Sequence, residues 1–148
     1  MSFLLQSKNK LEINTTPSAT GTDSQTWSLL AKGITDMEPD PNEETQQDNY
    51  FDGDGFGETD VTGAQLIVSV SGHRFYGDAA QDFIYGLQME LGPARRTDFR
   101  LTLPDGSMFE GACTIVNIVG PGGAAGEKGA ISFEIHFAGK PTYTAPTP

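Results

Sequence analysis

The stretch Arg96-Thr-Asp-Phe99-Arg-Leu101-Thr-Leu103-Pro-Asp-Gly-Ser107-Met-Phe-Glu-Gly-Ala-Cys113-Thr-Ile-Val-Asn-Ile-Val119 decides the fold class. Phe99, Leu101 and Leu103 alternate with Asp98, Arg100 and Thr102. That period of two puts one face of a strand in a core and the other toward water. Pro104-Asp-Gly-Ser107 supplies the turn, and Met108 to Val119 returns as the partner strand. A hairpin of this kind predicts an antiparallel sheet.

The same signature recurs on either side. From Ala64 to His73, Leu66, Val68 and Val70 alternate with Ile67, Ser69 and Ser71. Ile131, Phe133, Ile135 and Phe137 alternate as cleanly with Ser132, Glu134 and His136. Between the first of these strands and the hairpin, Asp78 caps a run with apolar residues at 83, 84, 87 and 91 before Gly92-Pro93. This predicts one amphipathic helix over about 78–91. Residues 3 to 13 read as a short N-terminal strand, followed by a turn cluster from Thr15 to Asp23, and residues 26 to 34 read as a further strand. Gly120 to Gly129 reads as a flexible connection.

The expected architecture is mainly β, with six or seven antiparallel strands in a β-sandwich or partly closed barrel and one flanking helix. All 148 residues form a single domain in this reading. It has an N-terminal strand or arm (1–14), an extended acidic loop (about 36–62) and a flexible C-terminal tail (140–148).

Twenty Asp and Glu against nine Lys and Arg give a formal charge of −11. The imbalance is local. Ten acids and no base lie between Asp36 and Asp60, so that segment carries −10 and the rest of the chain −1. Pro39, Pro41, Gly53, Gly55 and Gly57 read it as a loop, far longer than the usual connection. Tyr50, Phe51 and Phe56 lie inside it, and a merely solvating segment has little use for three aromatics.

Several functions are disfavoured. Holding nucleic acid by counterion release needs clustered Lys and Arg, which this chain lacks. No apolar run reaches the length of a membrane span, and the first residues lack the basic flank of a signal peptide, so synthesis in the cytoplasm is expected. One cysteine, Cys113, and two histidines, His73 and His136, leave a disulfide or zinc scaffold without support. Cys113 reads as a packing residue, Trp27 as core, and Arg95-Arg96 as cations suited to a helix end. Asp48 to Asp60 invites a calcium reading, but in an EF-hand register Tyr50 falls at the third position and Thr59 at the twelfth, where a Glu is required. No nucleophile turn or phosphate-cradling loop is present. The expectation is no catalytic residue, no metal and no cofactor, with a calcium-dependent β-sandwich module as one alternative.

Trp27-Ser-Leu-Leu-Ala-Lys-Gly-Ile34, then Tyr50-Phe-Asp-Gly-Asp-Gly-Phe56-Gly, Thr62-Gly63, and Gly72-His-Arg-Phe-Tyr-Gly77-Asp78-Ala-Ala-Gln-Asp-Phe-Ile84 follow one another in order. Together they resemble the tail tube (major tail) proteins of long-tailed, non-contractile bacteriophages of Gram-positive hosts, over roughly residues 1 to 140. The resemblance implies a structural virion protein of the phage tail, assembled in the host cytoplasm. Its subunits would form hexameric rings stacked into a hollow tube for DNA ejection. It also implies tape-measure and tail-terminator or distal tail proteins as partners, and DNA that passes without tight binding. Tube proteins of contractile or type VI-like systems are the nearest alternative. In such proteins the long loop reaches the adjacent ring, which makes Asp36, Glu43, Glu44, Tyr50, Phe51, Asp52, Asp54, Phe56, Glu58 and Asp60 the candidate interface residues. Head-to-tail contacts can close rings and extend them axially, and an acidic lumen would repel DNA.

Overall fold

The computed structural model describes residues 2–16 and 26–146. From residue 17 onward, the expected Thr15–Asp23 turn cluster lies outside the described residues. The strands are β1 (Lys10–Asn14), β2 (Trp27–Leu29), β3 (Ile34–Asp40), β4 (Glu44–Asn49), β5 (Gly57–Gly63), β6 (Ile67–His73), β7 (Arg96–Thr102), β8 (Met108–Gly122), β9 (Ala130–Phe137) and β10 (Thr142–Thr144). One helix, α1 (Ala79–Gly86), separates β6 from β7.

Seven strands form one antiparallel path in the order β2-β1-β7-β8-β9-β6-β3, with β10 added beside β8. The mainly β, antiparallel expectation with one helix therefore holds. The two ends of the path, β2 and β3, are consecutive in sequence and only residues 30–33 join them. Four residues reach only about 14 Å, so the sheet must curl until its end strands face each other. It stays open along that seam, because no ladder joins β2 or β1 to β3. Leu30 fills the seam, fully buried, and its N–H donates to the Leu11 carbonyl at 2.7 Å.

The inward faces supply the core: Ile13, Val68, Val70, Phe99, Leu101, Ile115, Phe133, Ile135 and Phe137, with Ala80 and Ile84 of α1. Cys113 is among them, and burial together with the nearby Asp98 charge pushes its thiol up to about 12. It is a packing residue, as the sequence suggests. At the seam's upper end the chain between β2 and β3 crosses β6 where both partners are glycine. Gly33 has φ +79°, and a Cβ at Gly72 would collide with the Gly33 carbonyl.

Several boundaries differ from expectation. The N-terminal strand is Lys10–Asn14; residues 6–8 form a 3-10 turn, leaving Phe3, Leu4 and Leu5 exposed. The helix keeps its Asp78 cap, whose carboxylate accepts from the Gln81 N–H, but ends at Gly86 instead of 91. Arg95 explains the missing turn. Its guanidinium donates to the carbonyls of Gln88 (2.7 Å), Glu90 (3.0 Å) and Ile115 (3.1 Å), tying the post-helix chain to β8. Its role is carbonyl binding more than helix-dipole compensation. β8 runs on to Gly122, into the expected glycine connection. Beyond Arg96, β8 loses β7 as a neighbour, and Tyr85 Oη and Gln88 Nε2 take over by donating to the carbonyls of Val119, Ile118 and Gly120. The expected flexible C-terminal tail contains a strand, with Tyr143 packed on Phe109 at 5.2 Å between ring centroids. Trp27 is half-buried beneath the Arg100 guanidinium, 4.1 Å from its centroid, and does not enter the core.

Candidate assembly surface

The expected loop over 36–62 is mostly strand. Its first residues, Asp36 to Asp40, complete β3 at the edge of the main sheet. An edge tolerates Pro39 because a strand with one free side can spare an N–H. After a kink in which the Asn42 N–H donates to Asp40 Oδ1, the chain builds a separate two-stranded sheet from β4 and β5. The alternation in this hairpin is between acidic and neutral polar residues, so hydrophobicity carries no period and the strands escape a hydrophobic pattern.

The register gives the hairpin two different faces. Gln46 opposes Asp60 and Asp48 opposes Glu58 on one, while Thr45–Val61, Gln47–Thr59 and Asn49–Gly57 occupy the other. Three carboxylates share the first face with no base, and the directly opposed pair Asp48 and Glu58 is mutually repulsive. At the tip, a 3-10 turn over Phe51–Gly53 and a left-handed Asp54 reverse the chain. The tip aromatics point outward: Phe51 is wholly exposed, Phe56 79% and Tyr50 51%.

No described residue of the hairpin is buried. A lone two-stranded hairpin is marginal in water, and three exposed aromatics at its end are the composition of an anchor. Of the candidate residues, Glu44, Tyr50, Phe51, Asp52, Asp54, Phe56, Glu58 and Asp60 lie on the hairpin, and Glu43 lies at its base. Asp36 does not join them. It sits on the outer face of β3 opposite Ser71.

Asp36 belongs to a second surface that sequence reading alone did not assemble. The outward residues of β3, β6 and β9 form rows: Asp36, Ser71 and Ser132, then Glu38, Ser69 and Glu134, then Asp40, Ile67 and His136. The first two rows line a trough of about 470 Å³ together with Asn117 and the apolar Met37 and Val119, and from the third row His136 Nε2 contacts Glu134 at 2.9 Å. The other half of the outer sheet is charge-paired: Arg100 lies 3.5 Å from both Glu12 and Glu110, and Lys10 3.9 Å from Glu12. Among the described residues no group of three His, Cys, Asp or Glu is placed to hold a metal ion. None of the described helices is long and apolar enough to cross a membrane.

These features define a class: a curled, open antiparallel β-sheet with one helix at its end and a projecting hairpin. No protein-family model matches the chain, and no curated protein matches it. Solved structures share the fold. A chain from the tail of an empty gene transfer agent (GTA) particle, obtained by helical refinement with C6 symmetry, matches with a TM-score of 0.77 at 16% identity, covering 97% of this chain and 100% of that one. A chain from the native GTA virion matches at 0.74 and 15% identity, over 97% and 100%. A chain from the extended sheath-tube complex of an extracellular contractile injection system, PVC, matches at 0.59 and 11% identity, over 97% and 92%. At such identities the likeness establishes the fold.

Proposed function

We propose that this chain is the structural subunit of a phage-type tail tube. Copies join side by side into six-fold rings, rings stack, and the resulting channel conducts DNA out of the particle. The reading is structural and not enzymatic, and it places the protein in the virion tail. The observation that carries it is the β4–β5 hairpin, an aromatic-tipped element with no face packed on the rest of the described chain, on a fold held in common with chains from the tail of an empty GTA particle and from a native GTA virion.

The hairpin reaches a neighbouring copy, where Tyr50, Phe51 and Phe56 are the apolar anchors. Glu43, Glu44, Asp52, Asp54, Glu58 and Asp60 surround them, meeting basic groups or water. Among the described residues β2 and β3 are each paired on one side only, and these edges supply lateral contacts, since unpaired strand edges invite pairing with another chain. The β3–β6–β9 face, with Asp36 on it, lines the channel: small hydroxyls and carboxylates that no Lys or Arg among the described residues pairs give a wall that repels a polyanion. The charge-paired half then faces outward. Tape-measure and terminator proteins are the expected further partners.

Replacing residues 43–62 by a short Gly-Ser linker tests the reading. The expected variant keeps the parent's near-ultraviolet circular dichroism and melting temperature as a monomer and shows no tubes by electron microscopy. Tubes formed by that variant would remove the hairpin from the mechanism. Likeness to the contractile injection system chain supports a second reading, a tube enclosed by a contractile sheath. Capture of a sheath protein by assembled tubes distinguishes it from a non-contractile tail.

A further inference from the structure

We infer that the tip of the β4–β5 hairpin of one copy seats in an apolar groove at the hairpin base of the next. The inference rests on the tube reading above and names the surface that receives the hairpin.

The groove, of about 730 Å³, lies where the core reaches the surface. Leu101 belongs to the core, Leu66 and Leu103 pack against it, and Phe109 and Tyr143 complete the apolar wall. Its volume is within the range of pockets that enclose small ring-bearing ligands. One charged residue lines it, Lys140, which is exposed and makes no salt bridge among the described residues. An apolar occupant that also brings negative charge fits such a groove.

The exposed apolar clusters differ in the charge they bring. At the hairpin tip, Tyr50, Phe51 and Phe56 are interleaved with Asp52 and Asp54 and with no base, and neither carboxylate makes a salt bridge among the described residues. Phe3, Leu4 and Leu5 are followed by Lys8 and Lys10, with no acid before Glu12. Phe75 lies under the Lys32 ammonium, and the acids near it are committed: Asp82 to Arg74 at 2.9 Å, Asp78 to the start of α1. Leu91 shares a depression with Glu90, Arg95 and Arg96, where bases outnumber the acid. Charge therefore selects the hairpin tip. Seating its rings displaces water from the rim, and an ammonium beside a carboxylate attracts more strongly as the local dielectric falls.

The tip cannot turn back into its own groove. Pro41 and Ala64, at the hairpin base, line the groove, and β4 then carries the tip away over six paired residues, about 20 Å of strand. The seat is on another copy. Tip and groove are different patches, so the contact is heterologous and repeats from copy to copy. The competing occupant is the Phe3–Leu5 segment, since Leu4 lines a depression adjoining the groove with Pro39 and Leu103.

Proximity cross-linking decides between them. Gly53→Cys, where a Cβ meets nothing within 4 Å, and Ala64→Cys, at an exposed position on the groove wall, are placed together in the full-length chain. Assembled material is treated with a short bismaleimide, which cannot span the hairpin within one copy; Cys113 is buried. A ladder of covalent multimers is expected from the double variant and none from either single variant. Tubes that give no ladder overturn the contact alone, as does cross-linking of Phe3→Cys with Ala64→Cys in its place. A parent chain that never forms tubes overturns the tube reading itself. In parallel, Lys140→Glu and Asp52→Lys/Asp54→Lys are each expected to raise the concentration needed for tubes by about tenfold or more, with the monomer's melting unchanged. Combining them is expected to recover most of that loss. A combined variant no better than either parent variant counts against the contact.

Discussion

The curled sheet and the hairpin are built from the same element, an antiparallel pair of strands, with opposite energetics. Each strand of the sheet from β7 to β6 sets apolar residues inward, where Phe99, Phe133, Ile135 and Phe137 are almost completely buried. Neither face of β4–β5 does so: its aromatic side chains are all at the tip, and Val61, near the base, is exposed as well. The first region holds its shape by its own burial. The second has its apolar surface where only another molecule can cover it, so its order and the assembly of the tube become one problem.

The largest effect that could break this contrast comes from exchanging the roles of two phenylalanines. Phe133→Ala should destabilise the monomer by about 3–5 kcal/mol, a large part of the 5–15 kcal/mol typical of a domain. It should lower the denaturation midpoint accordingly. Phe51→Ala should shift that midpoint by no more than about 0.5 kcal/mol, yet abolish or greatly slow tube formation. A Phe51→Ala monomer destabilised as much as Phe133→Ala would mean that the hairpin tip packs on its own domain.

How much of this was legible in the sequence follows from the same contrast. Strands β6, β7, β8 and β9 were readable because Val68–Val70, Phe99–Leu101 and Ile131–Phe137 alternate apolar with polar, and burial demands that pattern. The helix cap at Asp78 was readable for a local reason as well. Strands β4 and β5 were not, since threonine and glutamine alternating with aspartate and glutamate give no hydrophobic period. β10 was hidden by its length and by Pro141 and Pro146 around Thr-Tyr-Thr. Residues of the candidate hairpin surface were adjacent in sequence and could be named in advance. The Asp36–Ser71–Ser132 face and the Leu66–Leu103–Tyr143 groove join residues far apart in the chain, and only the strand order brings them together.

An intermediate effect concerns dynamics. In the monomer, amides of Glu44–Asn49 and Gly57–Gly63 should exchange with solvent far faster than those of β8 and β9, because a two-stranded sheet opens locally without disturbing the core. In assembled tubes the hairpin amides should become protected, while those of β8 and β9 change little. Equal protection of the hairpin in both states would show that its order owes nothing to neighbours.

The smallest effect sharpens the comparison most, because it separates the hairpin's own stability from its use. Asp48 and Glu58 stand directly opposite each other on one face with Asp60 nearby, a like-charge arrangement that costs the isolated hairpin a few tenths of a kcal/mol. Glu58→Lys turns repulsion into attraction and should slow hairpin amide exchange in the monomer by about 1.5- to 5-fold, with added salt reducing the gain. If the carboxylates were incidental, tubes would then form at least as readily. If they meet basic groups of a neighbour, the same variant assembles worse although its hairpin is better formed. Opposite signs in the two measurements are the expected outcome, since a repulsive pair retained on a marginal element needs a compensating contact elsewhere. Matching signs would assign the acids to solvent and leave Tyr50, Phe51 and Phe56 as the contact.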